Sequence, residues 1–221
     1  AATLEGTGAD AQNISFTSMA EAFIFSAAAG LCSVTPNVAI AIAAATGEAR
    51  LIAPALTVTG LLNVQSFGSA IANVNIDNLP GAALSVGVMA GAATAGGAFR
   101  AVLMSKGVVH AGSINVESTY IGTAETFVIP ASAGVNIALG TQNTNAAVAI
   151  VVTVAEAYIT ADNENRTVRA DGEAAVQVNG SSRAYATVGT PFFSVSAIYC
   201  AWNYAVAEAA AKQEAAVKDV T

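Results

Sequence analysis

A three-part phrase returns in the same order along this chain, and that recurrence restricts the fold more than any single residue does. The first part is a short strand of alternating apolar and polar residues. It occurs at Thr3-Leu4-Glu5-Gly6, Leu56-Thr57-Val58-Thr59-Gly60, Ile114-Asn115-Val116-Glu117-Ser118 and Val176-Gln177-Val178-Asn179-Gly180. The second is an apolar run that drifts into alanine, at 38–45, 84–93, 148–157 and 193–198 leading to 205–209. The third is an arginine followed by apolar residues and then usually glycine, led by Arg50, Arg100 and Arg166. Counted from Leu4, Leu56, Ile114 and Val176, the spacings are 52, 58 and 62 residues. Self-similarity at such a period is the mark of a repeat architecture.

Alternation of Val, Ile or Leu with Thr, Asn or Gly gives each strand one inward and one outward face. A unit with one apolar face cannot bury it alone, whereas stacked units share a continuous interior. The sequence therefore predicts an all-β parallel β-solenoid, β-helix-like, of about four imperfect repeats in a single array over 1–221. The units run approximately over 1–55, 56–112, 113–173 and 174–221. Three strand phrases per unit favour one three-sided coil, with glycines such as Gly60, Gly107, Gly112 and Gly172 at its turns. A sandwich would explain the strand density but not the returning phrases, and a membrane barrel would want aromatic girdles. The segment from Ala205 to Val220 stays open. Repeat register makes it a strand, while its alanines and Glu-to-Lys spacing of four suit a short C-terminal helix.

Charged residues make up only 10% of the chain, against roughly 25% in ordinary soluble domains, so the composition suits a layered array better than a compact globule. The formal net charge of −7, with eight scattered Lys and Arg, excludes the basic footprint that nucleic acid requires. The stretch 22–45 is uncharged and long enough to span a bilayer. However, Pro36 and Asn37 interrupt it, and Val38, Ile40 and Ile42 alternate at a strand period. No spanning helix is expected there. No basic-then-apolar leader opens the chain, and its opening Ala1-Ala2-Thr3 reads as the middle of something longer.

These phrases also resemble a known family. The stretch Val152-Thr153-Val154-Ala155-Glu156-Ala157 through Arg166, with Ser182-Arg183-Ala184-Tyr185, is similar to the repeat-built filamentous adhesins, and among them the leukotoxin-related filamentous adhesins of bacteria. The resemblance covers nearly the whole chain through low-complexity motifs. Phe23-Ile24-Phe25 and Pro36 depart from the pattern. It implies a secreted, extracellular β-solenoid on the bacterial cell surface, part of a longer polypeptide, with a structural or adhesive role. Its implied partners are further repeats or other copies, stacked into a filament by self-assembly, and a host surface or glycan.

Concentrated chemistry is sparse. The densest acidic segment carries Asp162, Glu164, Asp171 and Glu173 and supplies the only candidates for a metal, a calcium ion. It lacks the EF-hand order, because Arg166 falls where the loop would continue. No other cofactor is expected, and no catalytic residue is assigned. A solenoid polysaccharide-degrading enzyme with an acidic groove is the alternative, resting on these carboxylates and on fold class. His110, the single histidine, has no acid or Cys beside it in sequence and reads as a surface or turn residue. Cys32 and Cys200 match no metal spacing and read as buried free thiols, several layers apart. Thr57 and Thr59 do not recur in the other units, which breaks the flat array that an ice-binding face needs.

Overall fold

The computed structural model describes residues 3–6, 9–12, 16–129, 136–161, 166–189 and 194–218. Their order is β1 (Thr3–Gly6), β2 (Ala9–Gln12), β3 (Phe16–Ile129), β4 (Asn136–Ala161), β5 (Thr167–Ala170), β6 (Ala174–Val188) and β7 (Ser194–Lys218). All seven join one hydrogen-bonded surface, and every pairing between elements is parallel. The fold is a parallel β-solenoid. Parallel neighbours require a long crossover, and here the crossover is the rest of the coil.

Register defines that coil. Leu4 pairs with Leu56 and Ala9 with Leu62, then Leu84 with Gly140, Ile114 with Ala174 and Asn136 with Ser194. The offset ranges from 52 to 60 residues, and it shifts by one residue between β1 and β2 and between β5 and β6. It is constant from Leu84 to Ser105 and constant again from Ile114 to Val128. Slipping a paired run by one residue would turn its interior outward, so the length differences are taken up at the corners and at the breaks between β1 and β2 and between β5 and β6. This is why Val176 pairs with Val116 rather than with Ile114. Leu56, Ile114 and the half-buried Val176 nonetheless share one interior cluster.

The coil has two long sides rather than the three expected. Across the interior, Ser66 Oγ donates to Gly47 O (3.3 Å) and Ser118 Oγ to Phe99 O (3.0 Å). Thr126 Oγ1 donates to Val148 O (2.7 Å). Residues on either side of each corner thus face one another as in a hairpin. The alanine-rich phrases and the phrases led by Arg50 and Arg100 run together as one arm, for example 84–105. The first phrase lies on the facing arm, where Arg166 also stands beside β5 while Glu156 takes the place stacked on Arg100. One layer stacks β1 and β2 with 16–26, then 55–78, 108–129, and β5 with β6. The other stacks 36–53, 84–105, β4 and β7.

Small side chains allow these layers to close. Ala93 pairs with Ala149 and Ala101 with Ala157, all fully buried. The two buried aromatic rings among the described residues enter where a neighbour gives way. Phe99 is fully buried because Gly68 has no side chain, and a Cβ there would fall inside the Phe99 ring. Gly180 makes the same room for Tyr120. At the corner, a Cβ on Gly107 would strike the Pro54 carbonyl oxygen.

The 205–220 ambiguity resolves as strand through residue 218, since β7 hydrogen-bonds along β4 from Asn136↔Ser194 to Thr160↔Lys218. Helix propensity is overridden by an available edge. The stretch 22–45 lies inside β3, and no helix among the described residues is long and apolar enough to cross a membrane.

Candidate functional site

Stacking brings distant charged residues into columns on the outer face of the second layer. Arg100 pairs with Glu156, and Glu156 with Glu214. Arg100 Nε lies 2.7 Å from Glu156 Oε2, and Lys212 Nζ lies 3.5 Å from Oε1. Lys212 also reaches Glu214 (3.4 Å), which Lys218 holds at 2.6 Å. Glu156 is buried among these cations, its side chain 8% exposed, while Arg100 and Lys212 are more than half exposed. Glu48 and Arg50, 4.0 Å apart, flank Arg100 and complete an open hollow of about 350 Å³.

The electrostatics follow from these contacts. The hydrogen bond from Lys218, with further ones from Tyr158 and Lys212, pulls the Glu214 carboxyl down to about 2. Tyr158 is pushed up to about 12, first by burial and then by its bond to Glu214 and the negative charge of Glu156. Lys218 Nζ sits 4.1 Å from the centre of the Tyr158 ring, a cation–π contact. Glu156 and Glu214 are both engaged by lysine or arginine, so the ladder ties successive rungs together.

The first layer carries an amide ladder. Asn115 Nδ2 donates to Asn63 Oδ1 (2.9 Å). Gln65 Nε2 and Asn179 Nδ2 donate to Glu117 (2.9 and 2.8 Å). Burial raises the Glu117 pKa, but these amides with Thr119 and Asn115 outweigh it and hold the carboxyl below its ordinary value.

Of the calcium candidates, Asp162 and Glu164 lie outside the described residues. Asp171 and Glu173 are exposed, and Asp171 is committed elsewhere. Its Oδ2 lies 2.9 Å from His110 Nε2 and its Oδ1 lies 3.4 Å from Arg169 Nε. The His110 contact is the chief reason its pKa lies below the usual value. His110 therefore has an acidic neighbour in space, although none lies beside it in sequence, because the coil register pairs it with Arg169 and brings Asp171 alongside. Only a known register could have revealed that pair. Among the described residues, no three His, Cys, Asp or Glu side chains cluster as a metal site.

The cysteines also need correction. Both are exposed, since strand alternation puts them on the outward face and not in the interior. Cys200 lines an apolar hollow of about 390 Å³ with Leu84, Val86, Leu139, Ile198 and Trp202. Sequence reasoning missed this outer apolar stripe, which includes Val38, Ile40 and Ile42 at 61–66% exposure. Alternation with alanine was the available signal, but in this chain alanine faces inward and the larger residue faces out.

Comparison with protein-family models, with curated proteins and with solved structures finds no match to this chain.

Proposed function

We propose that the chain is a non-catalytic segment of an extracellular, bacterial cell-surface β-solenoid. It serves as a structural and adhesive rod that stacks with further coils or copies and attaches to a host surface or glycan. One observation carries this reading. Each coil offers the next the same parallel hydrogen-bonding edge, the same interior columns and a ladder of charge already spent on holding rungs together. Such a unit is suited to extension. The sequence resemblance to filamentous adhesins supports the same role and the surface location.

Electron microscopy of the purified protein over a concentration series tests the rod. Elongated particles that lengthen with concentration are expected, and dispersed compact globules would overturn the reading. A reducing-sugar assay on plant and host glycans tests the absence of catalysis. No product is expected, and released sugar would replace the rod with a polysaccharide-degrading enzyme.

A further inference from the structure

The two layers are offset by half a coil, and this leaves complementary steps at opposite ends. At one end β7 pairs only with β4. Its interior-facing residues Ala205, Ala207, Ala209 and Ala211 continue the columns of the buried Ala147, Ala149, Val151 and Thr153, yet they are exposed. The edge of β6 away from 114–128 has no partner among the described residues. At the other end the rung 16–26 opens the first layer, with Ala20, Ala22 and Ile24 partly buried against the core.

We infer that a second copy of this chain seats head-to-tail on this step. Its 16–26 rung pairs in parallel with β6 and covers the alanine face of β7, and its 36–53 arm pairs with β7. The inference rests on the rod reading and specifies the joint. Charge argues for a second copy as occupant. Arg183, 67% exposed, reaches Glu125 at 3.6 Å, one rung back and two residues along from its own partner Thr123. The Ser69–Thr17 bond and the Gln65–Glu117 bond, each spanning 52 residues, put Glu21 in the column of Glu125. Glu21 of the second copy therefore takes the mirror position, and Arg183 lies between two carboxylates.

The second layer repeats this. Ser66 with Gly47 and Ser118 with Phe99 make equivalent contacts, which places Glu48 in the column of Arg100, Glu156 and Glu214. Lys212, which already reaches Glu156, meets Glu48 of the second copy on its free side. Glu214 meets Arg50. Glu48 and Glu214 stack as like charges, with Lys212 and Arg50 between them. Such a joint is heterologous and does not close on itself, so it propagates into a fibre.

The test uses the 221-residue chain with Cys32→Ser and Cys200→Ser. One sample carries Thr17→Cys and another Ser181→Cys, both at exposed positions. In the joint these are column neighbours about 4.8 Å apart, within disulfide reach. Within one copy they stand about three rungs apart, too far to bond. Mild oxidation of the mixture is expected to give a disulfide dimer that neither sample gives alone. Adding Glu21→Lys and Glu48→Lys to the Thr17→Cys protein is expected to lower the yield more than tenfold. Dimers from Ser181→Cys alone would mean edge-to-edge pairing, which overturns the joint but leaves the rod. Assembly in sedimentation without the mixed disulfide does the same. Monomers at every concentration remove the second copy as occupant and leave the step to a further coil of a longer polypeptide. Compact monomers in electron microscopy would sink the rod reading as well.

Discussion

The interior tolerates one phenylalanine because one glycine faces it, and that dependence can be measured. Phe99 is fully buried, and the space a Gly68 Cβ would occupy is filled by its ring. Gly68→Ala must push the ring against Gly97, whose own Cβ position lies 2.9 Å from Phe99 Cε2. Overpacking of this kind costs about 1–3 kcal/mol. Phe99→Ala empties the site and costs about 3–5 kcal/mol. In the emptied site the Gly68→Ala methyl has room, fills part of the cavity and restricts the unfolded chain, so its effect falls to about zero or turns favourable. The double variant should therefore be no less stable than Phe99→Ala alone, a coupling of about 1–3 kcal/mol. Urea unfolding followed by circular dichroism measures all four proteins. Simple addition of the two costs would refute the packing argument.

Two other expectations concern the charge ladder. Removing the exposed cation should cost more than removing the buried anion. Arg100→Met leaves the Glu156 carboxylate buried with Lys212 alone, about 2 kcal/mol, whereas Glu156→Gln frees cations that water already reaches, about 1 kcal/mol. Chemical denaturation compares them, and the reverse order would contradict the assignment of burial. The Glu214 carboxyl, about 2 when folded against 4.5 as the ordinary value, contributes stability that is whole above about pH 5 and lost as pH falls toward 2. Melting temperature should decline through that window, and Glu214→Gln should flatten the part of the decline it causes. An unchanged acid profile in the variant would argue against the Lys218–Glu214 contact.

Much of the architecture was legible because stacking leaves a direct imprint on sequence. Leu4 and Leu56 align by eye and pair in space. Alternation around Val38, Ile40 and Ile42 marked a strand, but it could not say which set faces inward. Hydrophobicity favours burying Ile, whereas close layers favour alanine, and close layers prevail. The number of sides was hidden because no residue marks a boundary between the alanine-rich phrases and those led by Arg50 and Arg100, which share an arm, and because Arg166 begins a similar phrase on the facing arm. Residue contacts such as His110 with Asp171 and Arg100 with Glu156 depend on the offset, and a two-residue error at Val176 is enough to lose them.

The claim beneath all of this is that two long facing arms make each coil. Arms of about 23 residues at about 3.3 Å each give a slab about 75 Å long. Four rungs at about 4.8 Å and two layers about 10 Å apart, plus side chains, make it about 20 Å in the other two directions. The accessible surface of 10813 Å² for 21.9 kDa exceeds the roughly 9300 Å² of a compact monomer of that mass, as a slab requires. Small-angle X-ray scattering of the isolated monomer should give a radius of gyration of about 23 Å for a slab of those dimensions. A value near the roughly 17 Å of a compact globule of this length would contradict the two-armed coil.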